Sequence, residues 1–348
     1  MSISLTQSDW LRDFVDLVQE QYNVEAALAA AEQLPDENRG LAAIEHSLQQ
    51  RGIAFGLPRL YPDMSDVADF PPIKFLSTLK HQAELIMDVA VALNRPFDGD
   101  HGQLALVMIW WATVGDVKRV EELAELWREV MTGQKEANDI VEALDDHFEP
   151  LAEELKKRAV LRPDPLLALP INQGISFFEI RIAGLMAVAL YDDERLQNHE
   201  VERILATMHK DRILFVEATI ALAWCNGILE TEERNLIKKQ IEVLKLQKRQ
   251  KRKLINLMLM PSTPKDFAHS FSDRPTAMFV LRQLVIASMI DGEQDKHEVK
   301  FLRLTAKEFG FEGEHFQSIL DEMNAFLEEN REAIAQMKKY RRARPSLL

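Results

Sequence analysis

The sequence holds one cysteine, Cys225, in 348 residues. A single thiol excludes an intramolecular disulfide and a cysteine-based zinc site, and it suits a reducing compartment. Within its apolar stretch Cys225 is expected to be a small buried core residue. Aromatic residues make up only 7% of the chain, while alanine, leucine and glutamate are plentiful, a balance that favours helices over sheets. Long apolar runs are missing too. The longest, residues 104–114, would cross only about half a bilayer and reads as a buried helix. The opening MSISLTQSDW has neither the basic start nor the apolar core of a secretion signal, so a cytoplasmic protein is expected, with a peripheral place at the inner membrane face left open. Catalytic signatures are equally scarce. There is no glycine-rich phosphate loop, no His-Glu-x-x-His pair and no nucleophile elbow, and the expectation is a protein that is not an enzyme. A metal-dependent hydrolase built only on carboxylates stays open beside it.

What is present is a chain of 47% hydrophobic and 28% charged residues, long enough for two domains or one helical array with a substantial core. The fold expected is all-α, a bundle of helix-turn-helix repeats. The net charge of −14 is uneven: residues 1–175 sum to about −15 and residues 176–348 to about +1. Nucleic acid is not expected as a partner of so acidic an N-terminal half.

Trp10, Phe14, Leu17 and Val18 recur at three and four and predict a helix over residues 8–33, broken at Leu34-Pro35-Asp36 and followed by another to about Gln50. Residues 52–72, with four prolines, read as a long connection, and Pro72 is placed to open a helix running to about Asn94. Helices over residues 102–112, 116–131 and 136–159 follow. Prolines 163, 165 and 170 mark residues 161–175 as a linker between an acidic helical domain (1–160) and a second helical domain (176–335), with a basic tail over 336–348. Short connections between helices expected at 175–191, 200–208 and 213–225 imply antiparallel neighbours. In Pro261-Ser262-Thr263-Pro264, Thr263 is placed to cap a helix opened by Pro264, after which Phe267 and Phe271 fall one turn apart. Residues 312–338 read as one long charged helix.

The stretch VIASMIDGEQDKHEVKFLRL, residues 285–304, carries the sharpest signal. An apolar run stops at Asp291-Gly292, where glycine can take the positive φ that ends a helix. Asp295 and Glu298 then stand in the Asp-x-x-Glu arrangement that caps the next helix. The turn concentrates Asp291, Glu293, Asp295 and Glu298. An earlier counterpart, ATIALAWCNGILETEERNLIKKQIEVL, repeats the pattern at an offset of 65, the difference between Glu233 and Glu298. Asn226-Gly227 takes the place of Asp291-Gly292, Glu230 that of Asp295, Ile237 that of Leu302 and Leu246 that of Phe311, so the chain contains an internal repeat. Less complete copies stand at AVALYDDERLQNHEVERIL, with Asp193, Glu200 and Ile204, and at WWATVGDVKRVEEL, with Gly115 and Glu121.

An alanine-rich helix ending in Asp-Gly, a glutamate six residues after the glycine, an apolar helix ending near Gly-Phe, and a second such unit about 65 residues away resemble the TerB-like domain of tellurite-resistance proteins. The resemblance covers residues 212–329, roughly a third of the chain. That domain also forms part of some membrane-anchored J-domain co-chaperones, but the His-Pro-Asp signature of a J domain is absent here and that activity is not implied. The resemblance implies an all-helical fold of two related halves with an acidic, metal-binding surface, in stress-response assemblies near the membrane. Asp291 and Glu298 match its motif. Asn226 stands where the motif has aspartate, which makes Asn226, Glu230 and Glu233 the weaker half-site.

Carboxylates and the carbonyls of a helix end suit a hard cation, so Asp291 and Glu298, assisted by Asp295 and Glu293, are the candidate ligands of Ca²⁺ or Mg²⁺. Two basic clusters stand apart from this acidic turn. Residues 245–253 (KLQKRQKRK) and 338–344 (KKYRRAR) are dense in cations, and Lys248, Arg249, Lys251, Arg252 and Lys253 are the candidate contacts to an anion or a partner. The function expected is a non-enzymatic, metal-responsive interaction module of a stress-response assembly with protein partners, some of them membrane-associated. The alternative is a metal-independent helical scaffold that docks on a membrane surface or an acidic partner through its basic segments.

Overall fold

The computed structural model describes residues 10–50, 73–97, 99–134, 137–159, 168–192, 196–229, 231–243, 246, 248–289, 295–329 and 331. The fold is all-α, and the described residues contain no strand. Among them no helix is long and apolar enough to cross a membrane. The chain divides into two compact units. One gathers the N-terminal helices with Phe178–Ala206, and the other gathers Thr207–Leu348 with Arg162–Phe177.

The first unit contains α1 (Trp10–Gln21), α2 (Val24–Ala31), α3 (Arg39–Gln50), α4 (Ile73–Ala92), α5 (Gly99–Val114), α6 (Val117–Met131) and α7 (Ala137–Ala159). Its centre is α5, in which every residue from Leu104 to Ala112 is buried. A helix apolar on all sides has to be covered on all sides, and α4, α6 and α7 pack against it. The single helix expected over residues 8–33 is two. Asn23 interrupts it because its side-chain oxygen takes the N–H of Ala26 at 3.0 Å and caps α2, a local bond that competes with helix continuation. Next comes α8 (Ala168–Asp192), which begins inside the segment read as a linker. Pro170 falls in its first turn, where a missing N–H forfeits no helical bond. Farther along α8, a Cβ on Gly184 would stand 2.8 Å from Leu85 Cδ2 and 3.0 Å from Ile44 Cγ1, so only glycine lets α3 and α4 approach this closely.

The second unit takes over within α9 (Asn198–Ala223). Two helices were expected here, but nothing in His209-Lys210-Asp211-Arg212 breaks a helix. The fully buried Asp211 is satisfied by the N–H and hydroxyl of Ser272. Burial still holds the Asp211 carboxyl above its ordinary pKa, with the Ser272 bonds acting in the opposite direction. After α9 come α10 (Thr231–Val243), α11 (Lys248–Leu257), α12 (Pro264–Phe267) with a 3-10 turn over Ala268–Ser270, α13 (Arg274–Met289), α14 (Lys296–Glu308) and α15 (Glu314–Glu329). Thr263 and Asp266 form the cap of α12, the Thr263 N–H donating to Asp266 Oδ2 at 2.7 Å. Phe267 and Phe271 both stand edge-on to Phe309, at 6.4 and 5.5 Å.

The internal repeat is carried by the elements themselves. α10 and α14 have 13 residues each and are displaced by 65 at both ends, Thr231 to Lys296 and Val243 to Glu308. Burial follows the same register. Val216 and Leu281, Ile220 and Val285, and Ile237 and Leu302 are all fully buried, and Leu246 with Phe311 and Leu254 with Ile319 are buried as well. Each such side chain contributes roughly 1.5–3 kcal/mol through burial, so the shared register fixes most of the core of each half.

Candidate functional site

The acidic turn is described from Asp295 onward; Asp291, Glu293 and, in the earlier repeat, Glu230 lie outside the described residues. Asp295 and Glu298 form a reciprocal cap on α14. The Asp295 N–H donates to Glu298 Oε2 at 2.8 Å, and Asp295 Oδ1 accepts the N–H of His297 at 2.8 Å. This is the local device the Asp-x-x-Glu spacing predicts, and it satisfies donors at the helix end that would otherwise lack partners. His297 is exposed on the first turn of α14.

In the first half, Gly227 takes φ +83 and Asn226 Oδ1 accepts the N–H of Ile228 at 2.9 Å, closing the turn after α9. Asn226 is exposed, whereas Glu233, on the first turn of α10, is half-buried. Cys225 is not a core residue. It lies half-buried in the turn because α9 ends two residues before it. Its thiol is pushed up to about 12, first by burial and then by the carboxylates of Glu298, Asp295 and Glu233. The acids of the two repeats therefore act on one point.

Among the described residues no group of three or more His, Cys, Asp or Glu side chains is placed to hold a metal ion. Both carboxylates are engaged in the cap, Glu298 accepting the Asp295 N–H and Asp295 accepting N–H groups of the first turn of α14. The less complete copies behave differently. Glu200 is bonded to Arg203, with Nε at 3.0 Å from Oε2, and that hydrogen bond holds its carboxyl below the ordinary range. Gly115 has φ +78 directly after α5, whereas Gly227 stands four residues beyond the end of α9.

The basic candidates sit on α11. Lys248, Arg249, Arg252 and Lys253 are exposed and Lys251 is half-buried. Lys253 reaches back to the buried Glu217 on α9 at 3.4 Å, and the hydroxyl of Ser262 donates to the same carboxylate. The other basic cluster, residues 338–344, lies outside the described residues. Residues 254–260 are apolar but for Asn256. In the structure Leu254 is fully buried, while Ile255, Leu259 and Met260 are 53%, 78% and 80% exposed. Ile255 falls off the inward face that Leu254 and Leu257 set on α11, and Leu259 and Met260 lie in the turn beyond its end.

The first unit contributes one further concavity, a groove of about 470 Å³ lined by Glu121, Trp127, Arg128, Leu190, Leu196 and Asn198. Trp127 stands edge-on to Tyr191 at 5.8 Å beneath it. No family model, no curated protein and no solved structure matches the chain.

Proposed function

We propose that this chain is a non-enzymatic interaction module, of the kind its repeat resembles in the TerB-like domain, that responds to a divalent cation at the turn between α13 and α14 and works in a stress-response assembly. The observation that supports this reading is the reciprocal cap that opens α14, which holds the carboxylates of Asp295 and Glu298 together at one turn. Asp291, Glu293, Asp295 and Glu298 would hold Ca²⁺ or Mg²⁺ there, and the bound charge would cancel repulsion among them. With repulsion removed, the angle between α13 and α14 is fixed and a protein partner reads the altered surface. Calorimetric titration with Ca²⁺, Mg²⁺ and Mn²⁺ at fixed ionic strength tests it, beside an Asp291→Asn, Glu298→Gln double variant. Glutamine at that position still serves a capping box, so the variant removes charge and keeps the helix end. Saturable binding that the double variant loses is the expected result; no binding, or equal binding by both proteins, ends the cation reading.

A second reading has its own support. A metal-independent helical scaffold docking through its basic segments is favoured by the outward face of α11, where the cations are exposed.

A further inference from the structure

Along the outward face of α11, charge gives way to bare apolar surface. Lys248, Arg249 and Arg252 are exposed, Ile255 follows at 53%, and the turn after the helix presents Leu259 at 78% and Met260 at 80%. Helical spacing puts Lys248, Arg252 and Ile255 in one line. The opposite face is the one that is held. Leu254 is fully buried with Val216, Ile220, Ile237 and Ile241, Leu257 and Met258 pack on the same cluster, and Gln250 lies 3.2 Å from His209 Nε2. The exposed face is therefore presented by an anchored helix.

We propose that α11 and residues 258–260 form a docking surface for an anionic lipid bilayer, with Lys248, Arg249 and Arg252 at the headgroup phosphates and Leu259 and Met260 at the acyl boundary. This deepens the docking reading above and does not depend on the cation. From Arg252 to the end of α11 at Leu257 the helix advances about 7.5 Å before the turn that carries Leu259 and Met260, on the scale of the roughly 5–10 Å to which interfacial apolar side chains sink. Cations clustered at the surface of an anionic leaflet supply the attraction, and the apolar tip supplies an affinity that salt does not screen. Nucleic acid would match the cations and leave Leu259 and Met260 in water, and no aromatic ring stands in residues 248–260 for a base to stack on. Two adjacent side chains with about four-fifths of their surface bare suit a fluid layer that closes around them.

The molecule carries its own control. On α14, Lys296, Lys300, Arg303 and Lys307 are exposed along one face, and its exposed large apolar residue is Leu304, at 45%, within the row and not at its tip. If phosphates alone were the target, the two rows would be interchangeable.

Flotation of the full chain tests the proposal, with vesicles of phosphatidylcholine alone or with about 30% phosphatidylserine, and with chelator in every arm so that the acidic turn contributes nothing. Three variants are compared after their thermal unfolding is shown to match the parent: Leu259→Asn with Met260→Asn; Lys248→Glu with Arg249→Glu and Arg252→Glu; and, as the control, Lys300→Glu with Arg303→Glu and Lys307→Glu. Binding to the anionic vesicles only is expected, reduced about tenfold or more by either α11 variant and within about twofold of the parent for the α14 control. Failure of the parent to float with anionic vesicles overturns the proposal, and so does an apolar variant that binds like the parent. Equal losses from the α11 and α14 reversals would assign the binding to general charge. Tight binding to duplex or single-stranded nucleic acid that the Leu259→Asn, Met260→Asn protein retains, without flotation, would assign the surface to phosphate. None of these outcomes bears on the calorimetric titration, so failure of one reading leaves the other standing.

Discussion

Ile237 and Leu302 occupy the same place in the two halves of the second unit, and so do Glu217 and Arg282, yet only the first pair keeps its chemistry. Both members of the first pair are fully buried aliphatic side chains of the same size class. Glu217 and Arg282 are equally buried, each only 6% exposed, and have opposite charge. Each is answered from the third helix of its own half, Glu217 by Lys253 on α11 and Arg282 by Glu322 on α15 at 3.0 Å. A core position is constrained in volume, and a buried charge is constrained only to have a partner. The outward faces of those third helices are freer still. Arg249, Arg252, Leu259 and Met260 on the first correspond to Glu314, Gln317, Asn324 and Ala325 on the second. The skeleton is repeated and the surface is individual, which places the docking face in one half only.

The comparison is tested most severely in the core. Ile237→Ala and Leu302→Ala should each destabilise the second unit by about 2–5 kcal/mol, the range for aliphatic truncation at a site that cannot collapse. Denaturant unfolding of the full chain measures both. A near-neutral result at either position would mean that the two halves do not share one packing scheme.

The charge pairs should then separate the halves. Glu322→Gln leaves the Arg282 guanidinium buried without that carboxylate, and burial already presses its pKa below the ordinary value with Glu322 acting against it. A loss of about 3 kcal/mol is expected, as for other buried pairs broken from one side. Lys253→Gln should cost less than about 1 kcal/mol, because the Lys253 side chain is 62% exposed and Glu217 keeps the Ser262 hydroxyl. Equal losses would show that Lys253 is needed to hold Glu217 and is not available to a partner.

Much of this was legible in the sequence. The offset of 65, the positive φ at Gly227, the Asp295–Glu298 cap and the Thr263 cap follow from residue types at fixed spacing, where the interaction is local and the pattern is the mechanism. The interruption at Asn23 and the continuity of α9 through His209-Lys210-Asp211-Arg212 were not legible. The first turned on one side-chain bond, and the second on Ser272, some sixty residues away, satisfying Asp211. Exposure of Leu259 and Met260 was hidden for a related reason. An apolar run shows that burial is available to it, and only packing against Val216 and Ile220 shows which of its residues are used.

The cap on α14 offers the finest comparison, since a change in the second half should be read out in the first. Asp295→Ala removes the acceptor for the His297 N–H and should cost about 1 kcal/mol of stability. It also removes one of the carboxylates that raise the Cys225 thiol, so the alkylation rate of Cys225 should begin to rise at lower pH than in the parent. The sign follows from charge alone: a nearby anion disfavours the thiolate, and taking it away favours it. Asp295→Asn should keep most of the cap and show the same shift in alkylation, which separates the field of the carboxylate from any loosening of the turn. An alkylation profile that moves with Asp295→Ala and not with Asp295→Asn would trace the effect to structure, and the acids of the two halves would then share no common point.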